Sequence, residues 1–252
     1  MEQSRRDFLK MAGITTISLL LPTTGLSSPE RMLKPGPKAL TAKRWAMAVI
    51  PAKCPSDCKD CIHACHTVHN VPAMDNSKDE IKWIWQSDFV HAFPGENYAR
   101  MPQSIQQLRL PVLCNQCANP PCVRVCPTKA TYQRPDGIVM MDYHRCIGCR
   151  FCMAACPYGA RSMNYRNPRP FIPKINLDYP TRTRGVVEKC HFCEERLARG
   201  LLPACVTACK EKALIFGDLD DPGSDVSLVL RNRLALRRHA ILGTQPHVYY
   251  LL

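Results

Sequence analysis

Beyond its N-terminal segment the sequence contains no apolar run of 18 residues or more, so no later stretch has the length expected of a membrane-spanning helix. Acidic residues are also scarce: 21 Asp and Glu stand against 34 Lys and Arg, a formal charge of +13. Taken alone, that excess would suit a nucleic-acid-binding surface. Disorder is excluded, because 46% of the 252 residues are hydrophobic, enough for one large domain or two small ones. Against these shortages stands one excess, 16 cysteines, whose even number suggests either disulfides or bound metal.

Spacing decides between them. Group I is Cys54, Cys58, Cys61 and Cys65, spaced C-x3-C-x2-C-x3-C. Group II is Cys114, Cys117, Cys122 and Cys126, spaced C-x2-C-x4-C-x3-C-P, and group III is Cys146, Cys149, Cys152 and Cys156, spaced C-x2-C-x2-C-x3-C-P. Group IV is Cys190, Cys193, Cys205 and Cys209, spaced C-x2-C-x11-C-x3-C. The group III run is the one by which bacterial ferredoxins hold [4Fe-4S] clusters, where short gaps wrap three thiolates round one face of a cube. In two-cluster ferredoxins the fourth cysteine binds the other cluster, so such motifs are expected to work in pairs. Pro127 and Pro157 turn the chain out of the loop after the fourth cysteine.

Structural zinc uses two C-x2-C pairs and has no need of the group III run. Disulfides are disfavoured between cysteines packed so closely in sequence. Cys54-x3-Cys58-x2-Cys61 also has the spacing of radical S-adenosylmethionine enzymes, which leave one iron open for substrate; here Cys65 and Cys209 complete a full set. Four [4Fe-4S] clusters are therefore expected, with every cysteine a metal ligand and no nucleophile, base or open metal position left over. Residues 1–27 carry a net +1, and each cluster with its four thiolates carries about −2, so the holoprotein without that segment comes near +4, which accounts for most of the basic excess without nucleic acid.

Residues 4–10 read Ser-Arg-Arg-Asp-Phe-Leu-Lys, ahead of an apolar run from Met11 to Leu21 and the small residues Gly25-Leu26-Ser27-Ser28. This resembles a twin-arginine signal, set here at 1–27, with Arg5 and Arg6 as the pair. Export of an already folded chain suits the cysteines, since clusters have to be inserted where thiols are kept reduced. A periplasmic protein is expected, peripheral to the membrane. Whether the leader is cleaved or kept as an anchor is left open by its loose cleavage site.

A β-hairpin pattern covers Ala130 to Asp142 with Pro135-Asp136-Gly137 at its turn, and strands are expected at Trp45 to Ile50 and Ala213 to Gly217. The stretches Cys114-Asn115-Gln116-Cys117-Ala118-Asn119-Pro120-Pro121-Cys122, Asp136-Gly137-Ile138-Val139, Cys146-Ile147-Gly148-Cys149 and Cys156-Pro157-Tyr158-Gly159-Ala160-Arg161 resemble the four-cluster electron-transfer subunits of membrane-associated oxidoreductases. Lys189-Cys190-His191-Phe192-Cys193, Pro203-Ala204-Cys205 and the terminal Leu242 to Tyr250 add to the likeness. Such subunits serve dimethyl sulfoxide and polysulfide reductases, formate-linked nitrite reduction (NrfC type) and periplasmic hydrogenases (HybA type). Within the family, His69-Asn70-Val71-Pro72, the segment Asp79 to Trp85 and the leader are most similar to the DsrO subunit of the DsrMKJOP complex of dissimilatory sulfur metabolism. Two departures are the three-residue gap between Cys54 and Cys58, and Lys210 where a proline is usual.

The resemblance implies an α+β fold of two interlocked ferredoxin-like units with a pseudo-two-fold relation. One would be 108–165, holding groups II and III; the other 45–66 with 186–218, holding groups I and IV; 67–107 would be an insertion and 219–252 a C-terminal extension. It further implies crossed ligation: Cys209 joins Cys54, Cys58 and Cys61; Cys65 joins Cys190, Cys193 and Cys205; Cys156 joins Cys114, Cys117 and Cys122; Cys126 joins Cys146, Cys149 and Cys152. The implied function is a one-electron relay without substrate chemistry. Implied partners are an NrfD-type integral membrane quinone-interacting subunit and a multihaem cytochrome c or other redox protein. His63, His66 and His191 lie beside cluster cysteines but are not counted as ligands; Trp83 and Trp85 suit core packing as well as partner contact, and Val226 to Leu242 is expected as a helix packed on the protein itself or its partner, with a membrane surface as the alternative.

Overall fold

The computed structural model describes residues 38–94 and 100–252; the twin-arginine segment lies outside the described residues. The strands are β1 (Trp45–Val49), β2 (Ile84–Asp88), β3 (Arg109–Leu113), β4 (Thr131–Gln133), β5 (Val139–Met141), β6 (Ser162–Met163), β7 (Val187–Glu188), β8 (Leu214–Asp218), β9 (Ala235–Leu236) and β10 (Val248–Leu251). The helices are α1 (Asp60–Val68), α2 (Phe89–Ala92), α3 (Gln103–Gln106), α4 (Pro121–Arg124), α5 (Phe151–Ala154), α6 (Glu194–Leu197), α7 (Ala204–Ala208) and α8 (Asp225–Asn232). The result is a mixed α and β architecture of small sheets, compatible with ferredoxin-like iron-sulfur domains.

The largest sheet runs β8-β1-β10-β9, with β1 antiparallel to β8 and parallel to β10. β1 is buried along its whole length, and its side chains alternate as the pleat requires. Trp45, Met47 and Val49 enter the main core, while Ala46 and Ala48 face a second apolar cluster containing Val226 of α8. Small residues on that face let the helix sit close: a Cβ on Gly217 would meet Ser224 and Val226 at 3.4 Å. Ser224 caps α8, its Oγ accepting from the Ser227 amide at 3.3 Å.

The C-terminal stretch packs on the protein itself, one of the placements expected for it. The helix stops at Asn232 and packs on the protein's own sheet, and β10 is an inner strand beside β1. Of the two readings open for Trp83 the structure shows the core, the residue being fully buried with Nε1 donating to Glu188 Oε2 at 2.9 Å. Trp85 is half-buried against the core. Tryptophan is as useful in a core as at an interface when its N–H finds an acceptor, and here Glu188 supplies one.

The β4–β5 hairpin forms with Thr131 opposite Met141 and Gln133 opposite Val139. Its turn uses Gly137 at φ +85°, a conformation open to glycine, and the Asp136 carboxylate accepts from the Ile138 amide at 3.2 Å. The cysteine-bearing helices α4, α5 and α7 are single turns that follow the cysteine loops, whereas α1 spans nine residues.

Candidate metal centre

Cysteine sulfurs from distant parts of the chain meet in four sets of four. Cys54, Cys58, Cys61 and Cys209 line one cavity with Pro55, Asp60 and Lys210. Cys65 stands among Cys190, Cys193 and Cys205. Cys117 is surrounded by Cys114, Cys122 and Cys156. Cys126, Cys146, Cys149 and Cys152 line another cavity with Thr131 and Met141. The sets follow one another as a row, because Cys61 neighbours Cys65 and Cys205, Cys190 neighbours Cys114, and Cys122 neighbours Cys152. All four cysteines of the second set are buried, whereas Cys149 at one end is exposed and Cys54, Cys58 and Cys209 at the other are half-buried.

Three of the four fourth cysteines share a local device that the spacing alone did not disclose. Cys126, Cys156 and Cys209 are each followed, three residues on, by a residue of positive φ: Lys129, Gly159 and Lys212. Each is followed, four residues on, by an alanine whose amide N–H donates to the cysteine sulfur. For Ala213 to Cys209 the distance is 3.2 Å. The signal was present as C-x3-A in all three places. Group I departs, because α1 continues through Val68 and puts His69 in the equivalent position. His69 Nδ1 lies 2.9 Å from the Cys65 carbonyl oxygen and 3.6 Å from Cys65 Sγ. Its Nε2 is 2.9 Å from Glu195 Oε1.

Burial first, and then the neighbouring sulfurs, pushes the Cys61 thiol up to about 12. Burial raises Cys117 and Cys190 to about 12 as well, and lifts Cys65, Cys193 and Cys205. Cys126 is the exception: burial alone would raise it, but amide donors from Thr131, Thr128 and Ala130 outweigh that and lower it. Four thiols crowded into a dry space resist ionisation, so such sets suit thiolates only when a multiply charged metal group compensates them.

Buried charge gathers around the sets. Lys189 is fully buried, donating to the carbonyl oxygens of Val139 and, at 2.6 Å, Cys190. Gln116 joins the same two residues, its amide donating to the Cys190 carbonyl at 2.9 Å and its oxygen accepting from the Val139 amide at 2.8 Å. Arg161 donates through Nη1 to Thr131 Oγ1 at 3.0 Å, and its buried Nη2 has no hydrogen-bond partner. Burial alone would lower its pKa, but the Cys122, Cys152 and Cys114 sulfurs prevail and raise it. Arg182 and Glu188 form a wholly buried pair at 2.6 Å, completed by Trp83 and by Asn164 at 2.5 Å. Sequence reasoning gave Arg161, Lys189 and His69 no role beyond their place in the motifs, and Glu188 none at all. Of the histidines it did single out, His191 is buried, 2.6 Å from the Tyr179 hydroxyl, and held neutral by burial, which pushes it down to about 3. Burial also depresses His66, to about 4, and His63 is exposed.

An all-sulfur donor set, four to a site, with amide N–H groups on the sulfurs and an unpartnered guanidinium nitrogen beside two sets, fits iron-sulfur cubes. His69, Cys193 and Glu195 also approach one another closely, but they share Cys193 with the second set and are not a separate centre.

Models of a 4Fe-4S dicluster domain match residues 105–169 and again residues 145–213. The protein is 38% identical to the Hdr-like menaquinol oxidoreductase iron-sulfur subunit 1 of Archaeoglobus fulgidus, over 98% of this sequence and 97% of that protein. It is 36% identical to a tetrathionate reductase subunit of Salmonella typhimurium, over 100% of this sequence and 89% of the other. A polysulfide reductase polypeptide of Wolinella succinogenes is 46% identical over 54% of this sequence and 63% of its own length. The 16 cysteines and the two dicluster matches fit four [4Fe-4S] clusters.

Proposed function

The protein belongs to the family of iron-sulfur electron-transfer subunits that carry 4Fe-4S dicluster domains within oxidoreductase complexes, and from that premise we propose that it relays single electrons between a membrane quinone-interacting subunit and a second redox protein in the periplasm. The observation that carries the proposal is the row of four thiol sets whose two ends reach the surface while its second set is wholly buried. A relay needs that layout, since electrons enter and leave at exposed ends and cross the interior between closely spaced sites. Bound there, the clusters supply reversible one-electron storage.

In this reading the ligands are Cys54, Cys58, Cys61 and Cys209 for the first cluster, and Cys65, Cys190, Cys193 and Cys205 for the second. Cys114, Cys117, Cys122 and Cys156 hold the third, and Cys126, Cys146, Cys149 and Cys152 the fourth. Each pair of groups exchanges its last cysteine, which is what interlocks two ferredoxin-like units about a pseudo-two-fold relation. The chain's other residues hold the clusters dry, donate amide N–H groups to their sulfurs and present the ends to partners. Those ends differ in chemistry: exposed Ile147 and Phe151 flank Cys149, whereas Asp60, Lys210 and Glu211 rim the first set. Two unlike rims suit two unlike partners.

The names of the relatives favour a quinone-linked complex acting in sulfur metabolism, as the DsrO-like features suggest. An NrfD-type membrane subunit and a cytochrome c are the proposed neighbours, with export through Arg5 and Arg6. No helix among the described residues is long and apolar enough to cross a membrane, and the attachment proposed is through a partner. Fractionation of the native host tests this. The protein is expected in the periplasmic-side membrane fraction, to become soluble when the gene for the membrane subunit is deleted, and to stay cytoplasmic when Arg5 and Arg6 are both changed to Lys. Persistent attachment of leader-cleaved protein without that subunit would defeat the docking proposal.

A further inference from the structure

Among the buried cations, Arg161 stands between the third and fourth thiol sets. Arg161 follows directly on Cys156-Pro157-Tyr158-Gly159-Ala160, the segment that closes the third set, and it is 4% exposed. Its Nη1 donates to Thr131 Oγ1 at 3.0 Å and lies 3.9 Å from Met141 Sδ, and both residues line the cavity of the fourth set. The guanidinium therefore extends from the chain of one site to the wall of the next. The negative charge nearest to it comes from thiols of both sets, Cys122 and Cys114 of the third and Cys152 of the fourth. No acidic side chain is among the partners found for it, and Nη2 is buried with no oxygen or nitrogen acceptor. A guanidinium in that position costs desolvation that only negative charge can offset.

We propose that Arg161 is a positioning residue shared by two neighbouring clusters, a fixed cation that raises both their reduction potentials and offsets the repulsion between them when both are reduced. The proposal rests on the ligand assignment given above. Each one-electron reduction, by a one-electron donor protein, takes a site from about −2 to about −3 with the four thiolates unchanged and no proton required. A guanidinium stays charged throughout, so it stabilises the more negative state of whichever site holds the electron. Because it lies between both sets, its effect should appear in two clusters together and spare the other two. Nearness to a ligand is not enough: Lys210 adjoins Cys209, yet its side chain is 84% exposed and 3.4 Å from Asp60, so solvent and its partner screen it.

The test compares anaerobically purified holoprotein with its Arg161→Gln, Arg161→Lys and Lys210→Gln variants. Iron and acid-labile sulfide are counted first, and each protein is then titrated with dithionite while its EPR signals are followed. Arg161→Gln, fully loaded, is expected to make reduction of two of the four clusters at least tenfold less favourable, a shift of about 59 mV for a one-electron couple. Arg161→Lys should restore both midpoints, and Lys210→Gln should move none to that extent. Unchanged midpoints in fully loaded Arg161→Gln would overturn the proposal, as would a shift confined to one cluster or shared by all four. If Arg161→Gln fails to load, Arg161→Lys decides: a full complement with native midpoints supports the charge role, and failure to load or displaced midpoints refute it. Fewer than about sixteen irons in the native protein would instead defeat the four-cluster reading, and the proposal with it.

Discussion

The two halves of the molecule hold similar sets of thiols by different means. Groups II and III come from one continuous stretch between Cys114 and Cys156, folded round the local β4–β5 hairpin. Groups I and IV are far apart in the chain and meet because β1 pairs with β8, Trp45 opposite Asp218 and Val49 opposite Leu214, and because β10 closes the other side of β1. The first half is specified by turn chemistry close to its cysteines, the second by a buried strand that carries no cysteine. The halves are joined at a seam where Lys189 and Gln116 tie Cys190 to Val139.

The sharpest way to break this comparison is to attack β1. Val49→Asp would place an unpaired carboxylate in the main core, which costs several kcal/mol. The expected outcome is loss of roughly half the iron, from groups I and IV, with ferredoxin-type EPR signals from groups II and III retained. Iron analysis and EPR of the same sample check it, and complete loss would show that the contiguous half does not stand apart.

A smaller effect should follow Cys209→Ser. It is expected to perturb one cluster, that of Cys54, Cys58 and Cys61, despite lying in the group IV motif. Spectroscopic change at the cluster of Cys190, Cys193 and Cys205 alone would contradict the exchange of fourth cysteines. Smaller again is the seam. Lys189→Met leaves the Val139 and Cys190 carbonyl oxygens short of a buried donor, at a cost of about 1–3 kcal/mol, which chemical denaturation under anaerobic conditions would measure.

Much of this was legible in the sequence, and the reason lies in how local each feature is. Gly137, the cysteine gaps and the alternation Trp45, Met47, Val49 act within a few residues of where they are read. The core place of Trp83 and the pairing of β10 could not be decided from the sequence, because their acceptors and neighbours, Glu188 and β1, lie far along the chain. Arg161 and Lys189 were given no role beyond their place in the motifs, and Glu188 none at all, for a related reason. A charged residue is by default a surface residue, and its burial makes sense only once distant thiol sets and carbonyl groups are brought up against it.

The smallest expected effect concerns pH. Burial, and after it Arg44, depresses His247 to about 4, against about 6.5 in the unfolded state. Between those values the unfolded state takes up a proton that the folded one excludes, so stability is full above pH 6.5 and falls as pH drops towards 4. His247→Gln should lessen that slope by its own share, His66 and His191 keeping theirs, and denaturation at several pH values would show it; an unaltered slope would contradict the assignment.

The central claim is that the exposed ends of one row and its buried interior all carry the same kind of cluster. Iron, acid-labile sulfide and zinc determined on anaerobically purified protein, with spin quantitation of the fully reduced sample, test it most directly. The account expects about sixteen iron and sixteen sulfide per molecule, no tightly bound zinc, and an EPR spectrum broadened by coupling between neighbouring reduced clusters. Half that iron, or zinc held in any of the four sets, would contradict it.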